Sequence, residues 1–135
     1  IATDNNPGYS AWNDVESVNQ IKEAKENGSD IILVYMHYGN EYSSSPNENQ
    51  IKISHSAIDA GASAVVGAHT HVPEGIEVYN GKPIFYNFFF YLNLHFLVFS
   101  YSLSIRTFNL SHGIVFLTPI YGIKAIIIPF CHKIR

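Results

Sequence analysis

Cysteine is almost missing from this chain: Cys131 stands alone among 135 residues. That excludes an intrachain disulfide framework and a multi-cysteine zinc site, and leaves the compartment open. Basic residues are scarce too, eight Lys and Arg against eleven Asp and Glu for a formal net charge of -3. With no basic stripe, nucleic acid is not an expected partner. Negative charge is absent after Glu77, and residues 84–105 carry no charged side chain at all. That tract approaches the length of a bilayer-spanning helix. Asn87, Asn93, His95 and several serines interrupt it, however, and its aromatic and β-branched residues suit strands better than helices. Buried or irregular structure is favoured there, and membrane association is left open. Residues 1–7 are polar and show no signal peptide. Met36 is the sole methionine and the sequence starts at Ile1, which reads as a fragment, a processed product or an internal piece.

What is present is a pattern of alternating helices and strands. The length suits one domain, or part of one, with a sizeable core. Asp14 is the expected N-cap of a helix whose apolar face is Val15, Val18, Ile21 and Ala24, ended by Gly28. The near-continuous apolar run Ile31–Met36 predicts a strand buried on both faces of a parallel or mixed sheet, and Ala64–Val66 is a shorter run of that kind. Between them, a flexible Gly/Ser loop leads to Pro46, placed in the first turn of a second helix that carries Ile51, Ser54, Ala57 and Ile58 towards Ala60. Helix, strand, helix, strand is the α/β alternation.

Beyond Pro73 the periodicity changes. Ile76–Tyr79, Asn80-Gly81 and Lys82–Tyr86 predict a hairpin with a type I′ turn. A second hairpin is expected to join Gly113–Leu117 to Ile123–Ile128 across residues 119–122, making the C-terminal half mostly antiparallel.

The chemistry lies in three histidines. Gly67-Ala68-His69-Thr70-His71 follows the second apolar run, and His37 closes the first. Imidazoles donate lone pairs to divalent cations, so a His-x-His loop serves one ion with both rings or two ions with one ring each. Gly67 is expected to let the chain bend as the strand ends. In open α/β sheets ligands bind beyond the carboxyl ends of strands, where His37, His69 and His71 all fall. A polar loop with two exposed imidazoles is the bland alternative. Glu41 either accepts from the ring of His37, fixing its direction, or is a solvated loop acid. His55 reads as a surface residue of the second helix, and His95, His112 and His132 have no partner pattern.

Several segments in order carry a resemblance. These are His37-Tyr38-Gly39-Asn40-Glu41-Tyr42 with Pro46 and Gln50, Asp59-Ala60-Gly61-Ala62, Val65–Val72 and Ile76–Tyr86, then Gly113–Val115 and Ile126–Pro129. Together they resemble the CapA family of poly-gamma-glutamate capsule biosynthesis proteins, within the calcineurin-like metallophosphatase superfamily. The resemblance implies an α/β fold: the C-terminal part of a metallophosphatase-like four-layered sandwich, ending in antiparallel β-hairpins. Residues 1–135 would then be the C-terminal portion of a single domain. It also implies divalent metal ions, two in a complete protein and of unspecified identity. His37 and His69 would ligate one metal and His71 the other.

The superfamily's early Asp-x-His, Gly-Asp and Asn-His motifs do not occur in this sequence. Where the family has Gly-Asn-Phe, this chain has Tyr86-Asn87-Phe88. The implied function is that of a capsule biosynthesis protein with a metal-dependent hydrolase fold, incomplete here and so not expected to catalyse unless the missing ligands are supplied. The alternative is a non-catalytic polymer assembly or export component, or an inactive fragment. Implied partners are an acidic polymer or phosphoester and capsule assembly proteins, at the cell envelope or its extracellular face. A surface near Tyr38 and Tyr42 is the expected docking region in the non-catalytic case.

Overall fold

Alternation along Ile31–His37 sets the fold. Ile32, Val34 and Met36 are fully buried, whereas Leu33, Tyr35 and His37 between them are only half-buried. In a computed structural model describing residues 10–88, 115–120 and 123–131, this strand, β1, sits inside a six-stranded sheet. The elements are α1 (Glu16–Glu26), β1 (Ile31–His37), α2 (Glu48–Ala60), β2 (Ala64–Ala68), β3 (Ile76–Tyr79), β4 (Lys82–Phe85), β5 (Val115–Ile120) and β6 (Ile123–Cys131). Sheet order is β3-β4-β2-β1-β6-β5. The four inner strands run parallel, and the two edge strands are antiparallel to their neighbours.

Both helices cover one face of the sheet. Ile21 and Ala24 of α1 and Ile53, Ala57 and Ile58 of α2 join Ile32, Val34, Met36, Val65, Ile84, Ile126 and Ile128 in one core. Each such large apolar side chain contributes about 1.5–3 kcal/mol when withdrawn from water. On the opposite face Leu33, Tyr35, Val66, Phe85 and Ile127 are half-buried, and Ile76 and Val78 of the edge strand β3 are exposed. The expected burial of β1 on both faces is therefore met on one face only among the described residues. These form one helical layer on one mixed sheet, consistent with a C-terminal piece of a metallophosphatase-like sandwich.

Element ends depart from the expected ones for local reasons. α1 is capped by Asn13, whose Oδ1 accepts from the N–H groups of Val15 and Glu16, at 2.9 and 3.1 Å. Asp14 instead accepts from Lys52 and from the Trp12 indole, which hold its carboxyl below the usual range. α2 begins two residues after Pro46, at Glu48, because Asn47 and Gln50 form a reciprocal capping box.

The Asn80-Gly81 hairpin forms as expected, with φ of 48° and 74° at the two turn residues. The second hairpin also forms, but β5 extends through Ile120, and β6 returns into the sheet parallel to β1. Hairpins thus add two antiparallel edges to a parallel centre; they do not build a separate antiparallel half. The apolar tract from residue 89 to 105, and His95, His112 and His132, lie outside the described residues. Among those described, no helix is long and apolar enough to cross a membrane.

Candidate metal centre

Parallel register brings the histidines together. β1 and β2 lie side by side with His37 opposite Ala68, so His69 emerges next to His37. Their ring centroids are 4.6 Å apart, and those of His69 and His71 are 5.8 Å apart.

The loop is held in an unusual backbone state. His69 has φ 123° and His71 φ 61°, with the fully buried Thr70 between them. Non-glycine residues held at such angles cost on the order of 1–3 kcal/mol each. The surroundings fix them there: Thr70 Oγ1 donates to the Val72 carbonyl at 2.8 Å, and the Thr70 carbonyl accepts from Tyr42 N at 2.7 Å. Asn87 Nδ2 also donates to the Val72 carbonyl, at 2.6 Å.

Gly67 has a different part from the bend expected of it. It lies within β2, and a Cβ there would meet the Tyr86 carbonyl oxygen at 2.0 Å and the Tyr38 ring at 2.6 Å. Its lack of a side chain permits close backbone approach, and the strand continues to Ala68.

Three side chains can converge on one ion. One ligand atom each from Glu41, His69 and His71 lies within 4.8 Å of the others. Glu41 Oε1 is 3.6 Å from His71 Nε2, so Glu41 neighbours His71 and not His37. Tyr42, itself at φ 60°, stacks on His71 at 5.7 Å. His69 Nε2 is buried without a hydrogen-bond partner among the described residues. Buried ring nitrogens are costly to leave unpaired, so this atom suits a cation. His37 stands beside this set. Burial, and then the nearby His69 and His71, depress its pKa and favour the neutral ring that a metal needs. Two imidazoles, one carboxylate and an adjoining third imidazole therefore fit a divalent ion of borderline character.

Other expectations fall differently. Tyr38 is fully buried, its hydroxyl bonded to Ser54 Oγ at 2.7 Å, so only Tyr42 of that pair is a surface residue. His55 is half-buried: it stacks on Tyr79 at 3.7 Å and bonds Glu77 at 2.9 Å, tying α2 to the first hairpin. Gln50 and Glu74 are both buried, and their spacing in the sequence marks neither for a polar role. Asn47-x-x-Gln50 ahead of an apolar helix is the capping-box signal that would have found the first.

The family model described as "Bacterial capsule synthesis protein PGA_cap" matches residues 2–88. The "PGA biosynthesis protein CapA" of Bacillus subtilis is 44% identical over 86 residues, covering 64% of this chain and 22% of the relative. The "Capsule biosynthesis protein CapA" of Bacillus anthracis is 34% identical over 90 residues, with the same coverage of each. A "Probable polyglutamine synthesis accessory protein" of Mycobacterium tuberculosis is 38% identical over 63 residues, covering 47% of this chain and 17% of the relative. The chain thus spans about a fifth of the length of the curated relatives it matches.

Proposed function

Since the chain belongs to the bacterial capsule synthesis family PGA_cap, we propose that it serves poly-glutamate capsule biosynthesis at the cell envelope through a divalent-metal site. In this reading His69, His71 and Glu41 hold one ion, and His37 extends the set towards a second. The observation that carries it is the convergence of one ligand atom each from Glu41, His69 and His71 within 4.8 Å of one another.

When bound, such an ion supplies Lewis-acid polarisation of an anionic substrate's oxygen. The chain's own residues do the rest. Tyr42 backs the His71 ring, the left-handed backbone at His71 and the positive φ at His69 shape the loop that carries both imidazoles, and burial and the neighbouring histidines favour the neutral ring of His37. An acidic polymer or a phosphoester is the substrate class that such a site would take. Hydrolysis in a two-metal manner needs further carboxylate donors from outside the described residues. A non-catalytic role in polymer assembly is the second reading. It is favoured by the relatives' names, which speak of biosynthesis and of an accessory to synthesis.

Calorimetric titration of the chain with Zn2+, Mn2+ or Co2+ tests the proposal. One ion per chain is expected, with affinity lost in His69→Ala and His71→Ala and reduced in Glu41→Ala. Unchanged affinity in both histidine variants sinks the metal reading. In cells, loss of polymer with those variants favours the metal-dependent role; preserved polymer favours the assembly role.

A further inference from the structure

The Glu41 loop and the His69–His71 loop are joined by a continuous polar strut whose centre is Gln50, in the first turn of α2 and 1% exposed. Its Oε1 accepts from Asn47 N–H at 2.9 Å, completing the helix cap. Its Nε2 donates to Glu74 Oε2 at 2.7 Å. From Asn47 the chain of bonds runs to Asn40, one residue before Glu41, through Nδ2 to Oδ1 at 3.2 Å. From Glu74 it runs through the backbone to Asn87, whose side chain holds the Val72 carbonyl just after His71. The Glu41 loop also presses directly on this centre. A Cβ on Gly39 would meet Gln50 Nε2 at 2.8 Å and Thr70 Cγ2 at 2.6 Å.

The helix cap alone does not account for glutamine here. Capping uses only the side-chain oxygen, which a glutamate supplies equally well. The amide nitrogen is used elsewhere, on a carboxyl group whose other oxygen is buried with no partner among the described residues. A second carboxylate opposite Glu74 would set two like charges against each other in a buried site. We propose that Gln50 is a positioning residue: its amide donor to Glu74 holds the Glu41 loop and the His69–His71 loop in mutual register for a divalent cation. This rests on the metal reading above.

The test compares the full chain with Gln50→Glu and with the double exchange Gln50→Glu/Glu74→Gln. The first keeps the cap acceptor but removes the donor; the second restores a donor–acceptor pair with its direction reversed. Co2+ affinity and the visible spectrum of the bound ion are read together with the His37, His69 and His71 ring resonances of the metal-free proteins. Gln50→Glu is expected to weaken Co2+ binding about tenfold or more and to alter the spectrum, as loss of groups behind metal ligands does. The double exchange is expected to recover affinity, spectrum and resonances. If Gln50→Glu fails to fold, Glu74→Met cuts the strut with the cap intact and is expected to show the same loss. Wild-type affinity and unmoved resonances in the single variant, or a double exchange that restores neither, overturn the proposal. A wild-type chain that takes up no Co2+ removes the metal reading instead, and the ring resonances then decide by themselves whether Gln50 sets the loops.

Discussion

Replacing Gly67 by alanine asks how tightly the histidine loop is seated. The new methyl group would lie 2.0 Å from the Tyr86 carbonyl oxygen, 2.8 Å from its carbon and 2.6 Å from Cε1 of Tyr38. Two of these neighbours are backbone, so no rotamer change relieves the clash. The Tyr86 peptide must retreat by at least about 1 Å, since real Cβ contacts stay beyond 3.0 Å. That peptide follows the Val66–Phe85 pairing and precedes the Phe88 N–H bond to the Gly67 carbonyl, 3.1 Å long. Overpacking of a filled site costs about 1–3 kcal/mol and the lost hydrogen bond about 1 kcal/mol, together roughly 2–4 kcal/mol. Against a total of about 5–15 kcal/mol for a domain, this is a large loss. In urea, with a slope of about 1–3 kcal/mol per molar, the midpoint should fall by roughly 1 M or more. Gly75→Ala is the control: among the described residues no heavy atom lies within 4 Å of its Cβ position, and a change within about 1 kcal/mol of wild type is expected. A Gly67→Ala chain within about 0.5 kcal/mol of wild type would refute the close-approach argument, because surface-like substitutions fall in that range.

Tyr38→Phe removes one partner of the buried bond to Ser54 and leaves the serine hydroxyl unsatisfied, so a loss of about 1–3 kcal/mol is expected in chemical denaturation. A negligible change would show that the hydroxyls find other partners. The Glu77 carboxyl accepts from Tyr86 and His55, and Tyr86 is the larger cause of its lowered pKa. A folded-state pKa below the unfolded one gives stability that is present above the ordinary carboxylate range and lost as pH falls through the lowered value. Glu77→Gln should therefore flatten the acid limb of stability against pH, as followed by thermal melts below pH 5. An acid limb identical to wild type would show that the clamp of α2 on the first hairpin adds no pH-dependent stability.

Local periodicity reveals much of this fold. The apolar run at Ile31–Met36, the helical spacing of Ile51, Ser54, Ala57 and Ile58 within α2, and the Asn-Gly turn each declare an element, because each depends on residues a few positions apart. Helix starts are less legible: Asp14 and Pro46 are plausible signals, but Asn13 and Asn47 make the capping bonds. Which residue caps depends on where the chain turns, and Asp14 is drawn to Lys52, far along the sequence. Strand order is hidden altogether. The insertion of β6 beside β1, stitched by Asp30 to Lys124, joins residues 94 positions apart, and no local pattern records it.

The same division holds at the candidate site. The histidines are visible from their spacing beyond two apolar runs, and parallel register brings them side by side. Glu41 is ambiguous in sequence because its direction depends on the left-handed turn at Tyr42. Gln50 and Glu74, 24 residues apart, meet only after α2 is laid against the sheet.

If Glu41, His69 and His71 share one divalent ion, X-ray absorption at the zinc edge of the loaded chain will register all three. Nitrogen and oxygen scatterers at about 2.0–2.2 Å are expected, with outer-shell imidazole scattering that diminishes in His69→Ala and in His71→Ala. A spectrum without imidazole scattering, or one unchanged by either substitution, would contradict a shared ion.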